Sequence, residues 1–206
     1  MTPERWQRVK ETFLEALELP YLRTGLFSLV RKRAVWLIFL FLGGLLTATT
    51  LGQFEGSMQA LPFLTFFIPL IIASGGNSGS QASTLVIRAM AMDEVRLRDW
   101  WRVARREVAA GLTLGIVLGA IGLVRVLVFP GSAGERGGDI VLLMALTVTI
   151  SLLGVVLFGS LVGSMLPFVL RRAGLDPASA SAPLVATLVD VTGLLIYFLS
   201  AAWLLG

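Results

Sequence analysis

Five long apolar segments, separated by short polar stretches, dominate the hydropathy pattern of the chain. They cover approximately residues 34–51, 61–92, 103–129, 140–170 and 178–205. An α-helix rises 1.5 Å per residue, so about 20 apolar residues are enough to cross the hydrocarbon core of a bilayer. The pattern predicts an all-α, polytopic membrane protein with five transmembrane helices per chain.

Residues 2–19 show a different pattern, with apolar side chains at helical spacing and polar residues between them. Trp6, Val9, Phe13 and Leu17 form one apolar stripe, and Pro20 ends it. This pattern is typical of an amphipathic helix lying on a membrane surface, although a gating or docking helix has the same periodicity. We therefore divide the chain into a cytoplasmic amphipathic helix and linker, residues 1–33, and a transmembrane domain, residues 34–206.

Basic residues fix the orientation of the spans. With five spans, all of the 17 lysines and arginines except Arg125 and Arg136 fall on one side of the membrane. Because cytoplasmic loops carry the excess of basic residues, we expect the amino terminus in the cytoplasm and the carboxyl terminus outside. The basic residues cluster at the ends of apolar segments, so the net charge of +4 indicates membrane lipids and no nucleic acid as a partner.

Composition narrows the possible chemistry. Only 15% of the residues are charged, against about 25% in soluble domains, so most of the surface is expected to face lipid. The chain has no cysteine and no histidine, which excludes thiol nucleophiles, imidazole bases and soft metal sites. Any metal must bind through oxygen atoms, as hard ions such as Mg²⁺ and Ca²⁺ do.

Asp190 lies about 18 Å along the fifth apolar segment, close to mid-membrane. A carboxylate there costs several kcal/mol unless it faces water or a partner, so a functional role is the default. The structural alternative is pairing with Arg125 or capping by hydroxyl groups. Ala186, one turn earlier on the same face, offers a carbonyl oxygen if water reaches it. Water access is favoured by three neighbours in the segment, Pro183, Thr187 and Gly193.

A polar stripe runs along the second apolar segment. Its members recur at spacings of three and four residues: Ser74, Asn77, Gln81, Thr84 and Arg88. Such residues either form hydrogen bonds between neighbouring helices or line an aqueous path. Both interpretations remain open from the sequence.

Two further acidic residues lie at the predicted membrane surfaces. Asp176, in the connection before the last segment, is either the cap of the following helix or a cation-attracting residue at the cytoplasmic mouth. Glu55 lies on the outer side, where it could attract cations to an outer mouth.

Two runs of sequence resemble the transmembrane domain of the MgtE magnesium channels and transporters. Residues 69–88 read PLIIASGGNSGSQASTLVIR, and residues 165–193 read MLPFVLRRAGLDPASASAPLVATLVDVTG. The resemblance covers approximately residues 34–206. It implies a homodimer whose ion path lies between the subunits, lined by the second and fifth helices of both chains.

The resemblance also implies roles for single residues. Asp190 matches the selectivity aspartate, Ala186 the residue that offers a carbonyl, Asn77 a pore-lining asparagine and Asp176 an acidic residue near the cytoplasmic mouth. We expect metal contacts from Asp190, Ala186 and Asp176. The expected lining residues are Asn77, Gln81, Thr84, Thr187 and Gly193, with Glu55 at the outer mouth.

The sequence departs from the family pattern in two ways. Ala182 stands where asparagine is frequent in the family, so one polar contact with a hydrated ion is missing. Only about thirty residues precede the first apolar segment, whereas full-length relatives carry a helical cytosolic domain and paired CBS domains there. The chain either lacks that sensor naturally or is truncated, and we expect its gating not to depend on CBS domains.

The leading functional hypothesis is Mg²⁺ conduction or transport across a prokaryotic plasma (inner) membrane, with Mg²⁺ as the transported ion. An ion-coupled Mg²⁺ exchanger or efflux transporter is the alternative within the same class. An intramembrane enzyme would need paired catalytic groups, but the chain has no histidine and no serine–lysine pair within one segment. A structural membrane subunit would not need the deep Asp190. We therefore expect a transport protein and no enzymatic activity.

Overall fold

The computed structural model describes residues 25–205, which are helical almost throughout and contain no β-strand. The α-helices in this range are α1 (Leu26–Gln53), α2 (Glu55–Ala60), α3 (Ile68–Ala91), α4 (Trp100–Val128), α5 (Gly138–Arg172) and α6 (Pro177–Leu205). Short 3₁₀ turns occupy Pro62–Phe67, Leu97–Asp99 and Gly131–Arg136. The all-α prediction is confirmed, and the predicted surface helix at residues 2–19 lies outside the described residues.

Four of the described helical segments are long and apolar enough to cross a membrane. They are Pro62–Ala91, Leu97–Val128, Gly138–Arg172 and Ser181–Leu205, close to the last four predicted segments. The first predicted segment lies within α1, which begins earlier than expected, at Leu26. The apolar stretch found among the described residues of this helix is Leu37–Gln53. The chain is thus a helical membrane protein with four candidate spans in its described part.

The chain divides into two compact units, Met1–Phe41 and Leu42–Gly206. The described residues of the first unit, 25–41, form the beginning of α1. The second unit holds the remainder of α1 and all the other described helices. The packing and the candidate site described below belong to the second unit.

Helix α5 is the central element of this unit, since it packs against α3, α4 and α6. Val148, Val155 and Val156 along it are fully buried. Pro167 lies inside the helix and is itself buried. A hydrophobic segment that contacts three neighbours along its length positions those helices relative to one another.

Helices α3 and α5 touch backbone to backbone at four glycines. A Cβ atom added to Gly159 would collide with the carbonyl oxygen of Gly75, and one added to Gly163 would collide with that of Gly79. A Cβ atom at Gly79 would lie 2.7 Å from the Gly159 carbonyl oxygen. Only glycine allows this approach, which membrane helices use because apolar burial does not separate helix from lipid. The matched order of the contacts also shows that the two helices are parallel.

Glycines also form the contact between α4 and α5. Gly111, Gly115 and Gly119 are buried at intervals of four residues, and a Cβ atom at Gly115 would lie 2.9 Å from Leu153 Cα. The Thr149 hydroxyl donates to the Ala145 carbonyl at 2.8 Å and lies 3.2 Å from the Gly119 carbonyl oxygen. Small residues at intervals of four thus let α4 approach the backbone of α5 closely.

Helix α6 packs against α3 in the antiparallel sense. Gly75 meets Val189 and Gly79 meets Val185, so residue numbers fall along one helix as they rise along the other. Nearer the carboxyl-terminal end of α6, the buried Tyr197 hydroxyl donates to the Leu64 carbonyl at 2.8 Å. This register places Asp190 level with Ser74, and Thr187 level with Asn77.

The later part of α1 packs against α6 in the parallel sense. The Thr187 side chain contacts Gly43, and the Phe54 ring stacks on the Phe198 ring with centroids 4.4 Å apart. Both contacts join residues separated by the same number of positions in the sequence. Residues 43–54 therefore follow residues 187–198 along the same direction.

The glycine contact predicts a sharp difference between two neighbouring substitutions in α3. Gly79→Ala places a methyl group against the α5 backbone and should lower the free energy of unfolding by about 1–3 kcal/mol through overpacking. Gly76→Ala meets no atom within 4 Å and should be neutral or slightly stabilising, because alanine favours helix. Thermal unfolding in detergent measures both, and equal midpoints would contradict the backbone contact.

Candidate functional site

The polar stripe of α3 lies on the face of the helix opposite its packed face. Asn77, Gln81 and Thr84 are exposed, whereas Gly75 and Gly79 are buried against α5. A different residue of the same segment makes the hydrogen bond between helices, since Ser78 Oγ lies 2.6 Å from Ser160 Oγ. The stripe is thus a polar surface on a spanning helix.

Hydrogen bonds made by the stripe stay within α3. The Ser74 hydroxyl donates to the Leu70 carbonyl at 2.7 Å and the Thr84 hydroxyl donates to the Ser80 carbonyl at 2.8 Å. Within residues 25–205, the side-chain amides of Asn77 and Gln81 have no hydrogen-bond partner. The structure therefore does not show the stripe forming hydrogen bonds to another helix of the same chain, which was the first of its two interpretations.

Asp190 lies at the middle of α6 and is half-buried. In the described part of the chain its carboxylate has no ion-pair or hydrogen-bond partner. Arg125 is engaged elsewhere: its Nη1 donates to the Phe129 carbonyl at 2.8 Å, and its guanidinium lies 5.1 Å from the centre of the Phe129 ring. The purely structural explanation of Asp190, a salt bridge to Arg125, is not observed.

The other predicted residues of α6 differ in burial, although Ala186, Asp190 and Gly193 share one face of the helix at spacings of four and three. Ala186 and Thr187 are half-buried near Asp190, and the Thr187 hydroxyl donates to the Pro183 carbonyl at 3.2 Å. Gly193 is instead buried, and a Cβ atom there would lie 3.4 Å from Val155 Cγ1 of α5. Gly193 therefore packs against α5 within the single chain, and its place in the lining stays a prediction.

Asp176 caps α6. Its Oδ1 accepts a hydrogen bond from the Ala178 backbone N–H at 2.9 Å, one position before the helix begins at Pro177. An aspartate at this position satisfies one of the unpaired N–H groups of the first turn. The capping alternative is confirmed, and a role at the mouth of an ion path stays a prediction.

Glu55 is the first residue of α2 and is exposed. Its Oε1 accepts a hydrogen bond from Gln59 Nε2 at 3.1 Å, one turn later in the same short helix. The carboxylate remains accessible there, as a residue at an outer mouth would need to be.

A single chain does not assemble a conventional metal cage. Among residues 25–205, no three acidic side chains come together in an arrangement that could hold a metal ion, and the sequence has no histidine or cysteine. The α3 residues level with Asp190 and Thr187 are Ser74 and Asn77, whose side chains offer neutral oxygens. A cation at this depth would keep much of its hydration shell or take ligands from a second chain.

Sequence reasoning missed three fully buried hydroxyl groups that have no hydrogen-bond partner within residues 25–205: those of Ser83, Ser151 and Ser181. Ser83 and Ser181 lie on α3 and α6, which pack against each other. Continuing the α3–α6 register by one turn from Gly79 and Val185 brings these two serines level. Neither Ser83 nor Ser181 stands out in the sequence. Only the register between two helices that are far apart in the sequence shows that the serines lie level with each other.

A polar surface on one spanning helix, beside a carboxylate at the middle of the next, is typical of membrane transport proteins for cations. The sequence profile of the MgtE family, described as divalent cation transporters, matches residues 68–200. The chain belongs to the MgtE family, and that family is one of transporters and not of enzymes.

Three curated relatives carry the name magnesium transporter MgtE. The Thermus thermophilus protein is 45% identical over 188 residues, which cover 91% of this chain and 39% of the relative. The Bacillus subtilis and Enterococcus faecalis proteins are 30% and 32% identical over 167 residues, covering 81% of this chain and 35% of each relative. The chain thus spans little more than a third of the length of these relatives.

Substitutions of Asp176 can separate the contribution of its capping hydrogen bond from the contribution of its negative charge. Asp176→Ala removes the accepting oxygen and should lower the free energy of unfolding by about 1 kcal/mol, whereas Asp176→Asn keeps an accepting oxygen and should cost little. Thermal unfolding of the two variants in detergent measures the difference. Equal losses in both would indicate that the negative charge, and not the hydrogen bond, stabilises this end of the helix.

Proposed function

We propose that the chain moves Mg²⁺ across the membrane as a homodimer, with the ion path between two copies of α3 and α6. The observation that carries the proposal is the exposed polar stripe of α3, which runs level with Asp190 on the adjacent helix. Membership of the MgtE family and the names of the relatives support Mg²⁺ as the transported ion.

The stripe requires a polar environment. An amide side chain transferred to hydrocarbon without a hydrogen-bond partner costs about 4–8 kcal/mol on an alkane scale. Asn77 and Gln81 both present such amides on the outward face of α3. The opposite face is closed by the glycine contact with α5, so α3 cannot turn the stripe inward. Water held between two copies of the chain satisfies the stripe without changing the fold.

Asp190 supplies the charge of the path. In a symmetric pair two carboxylates face one lumen near mid-membrane, where low-dielectric walls make their repulsion costly. A divalent cation neutralises both carboxylates, whereas a monovalent cation leaves one unbalanced. Mg²⁺ dehydrates reluctantly, so we expect a hydrated ion contacting Asp190 and the Ala186 carbonyl, with Thr187 beside them.

The two mouths of the path follow from the orientation. The basic residues favour a cytoplasmic amino terminus, which places Asp176 near the cytoplasmic mouth and Glu55 near the outer one. Asp176 then serves both as a helix cap and as a source of negative potential. All three relatives are bacterial, in agreement with a prokaryotic plasma membrane as the location.

Helix α1 completes the domain as a fifth span. Residues 43–54 run parallel to residues 187–198 of α6, which is one of the four spans recognised by length and apolarity. A helix that follows a spanning helix in parallel over three turns enters the same layer, and the 28 residues of α1 are long enough to cross it. Five spans then place the carboxyl terminus outside.

Thiol accessibility tests the lining, because the chain has no native cysteine. Asn77→Cys, Gln81→Cys and Thr84→Cys should each react with a membrane-impermeant thiol reagent, and modification should block Mg²⁺ flux in proteoliposomes. Ile116→Cys, on an exposed apolar face of α4, is the matched control and should stay unreactive. Stripe cysteines that fail to react, or react without changing flux, would show that the stripe joins helices instead of lining water.

Asp190→Asn tests the charge requirement, since it removes the charge and nearly keeps the shape. Mg²⁺ flux should fall at least about tenfold, which corresponds to about 1.4 kcal/mol of barrier. Asp190→Glu should retain some flux with altered ion selectivity. Asp139→Asn, at the exposed start of α5, removes a similar charge outside the path and should leave flux close to that of the wild type.

The same proteoliposomes distinguish the transport mode. Flux that needs a sodium or proton gradient would identify an ion-coupled transporter, whereas flux down the Mg²⁺ gradient alone would identify a channel. Wild-type flux through folded, dimeric Asp190→Asn protein would remove this carboxylate from the mechanism.

A further inference from the structure

The amino-terminal end of α4 carries a basic and aromatic surface that the proposed ion path does not use. Trp101, Arg102, Arg105 and Arg106 line an open recess of about 410 Å³ and are all exposed. They occupy positions one turn apart on adjacent faces of the helix, so their side chains converge on one side. We refer to these four residues as the arginine recess.

Among residues 25–205, the positive charge of the recess is only partly compensated. In the described part of the chain, Arg102 and Arg105 have no hydrogen-bond or ion-pair partner. Glu107, half-buried beside the recess, interacts electrostatically with Arg106. The nearby Asp99 carboxylate accepts a hydrogen bond from the Arg96 backbone N–H at 3.0 Å. Two guanidinium groups thus remain for an external anion, and they match the geometry of a phosphate group.

The position of the recess selects the membrane surface as the source of that anion. It lies in the first two turns of α4, within the candidate span Leu97–Val128. Trp100 and Trp101 are exposed there and contact each other edge to face, with centroids 5.5 Å apart. Tryptophan side chains prefer the headgroup level of a bilayer, so the arginines beside them lie at the depth of lipid phosphates.

An apolar track continues from the recess toward mid-membrane. Ala109, Leu112 and Ile116 follow Arg105 at helical spacing and are all exposed. Because the Ala109 side chain is small, the surface of α4 is indented next to the recess. A molecule with a phosphate headgroup and a long acyl chain fits both parts, whereas a soluble phosphate uses only the first.

We infer that the arginine recess is a binding site for an anionic phospholipid, with the phosphate on Arg102 and Arg105 and an acyl chain along Ala109, Leu112 and Ile116. The site requires only that α4 spans the membrane and is independent of the proposed Mg²⁺ path. A zwitterionic lipid should bind more weakly, because its choline or ethanolamine group cancels the charge that the arginines attract.

Lipid titration of the detergent-purified full chain tests the site, with bound lipid counted by native mass spectrometry. Phosphatidylglycerol should bind at least severalfold more tightly than phosphatidylcholine. The double variant Arg102→Gln/Arg105→Gln should weaken phosphatidylglycerol binding about 25-fold, because each basic residue near anionic lipid contributes about a fivefold factor. The double variant Arg96→Gln/Arg98→Gln removes the same charge outside the recess and should retain most of the affinity.

Several outcomes would overturn the inference. Equal binding of the two lipids, or equal losses in the two double variants, would show general attraction to charge and no site. Displacement of phosphatidylglycerol by equimolar glycerol phosphate would assign the recess to a soluble phosphate compound. Gel filtration and helical circular dichroism confirm that each variant is folded, so a loss of lipid reports on the recess.

Discussion

The contact between the backbones of α3 and α5 is the constraint on which the rest of the domain depends. Gly75 and Gly79 meet Gly159 and Gly163 with no side chain between them. Because this contact consumes one face of α3 completely, the opposite face must carry Asn77 and Gln81 outward. A packing interaction thereby decides the location of the polar surface, and the chemistry of the path follows from it.

The antiparallel register between α3 and α6 converts that surface into a candidate site. It brings Asp190 level with the start of the stripe and Thr187 level with Asn77, although the two helices are distant in sequence. The family relationship supports Mg²⁺ as the transported ion, and the proposed path places it beside these positions. Since the described residues bring no three acidic side chains together, the proposed mechanism draws on a second copy of the chain.

Length and periodicity predicted much of this, because both are local properties of the sequence. The last four spans and the existence of the polar stripe on α3 were accessible in this way. The burial of Gly193, the facing serines Ser83 and Ser181 and the extra length of α1 were not. Each depends on the register between helices far apart in the chain or, for α1, on helix continuing beyond its apolar stretch.

The four-glycine contact restricts the amino-acid substitutions that single base changes can introduce without cost. Any base change at the first two positions of a glycine codon replaces glycine with a residue that has a side chain, or with a stop codon. At residues 75, 79, 159 and 163 that side chain would enter space held by neighbouring atoms, in three cases those of the facing backbone. These positions therefore have no neutral amino-acid neighbour one mutation away, whereas Gly76, on the same helix with open space around it, does.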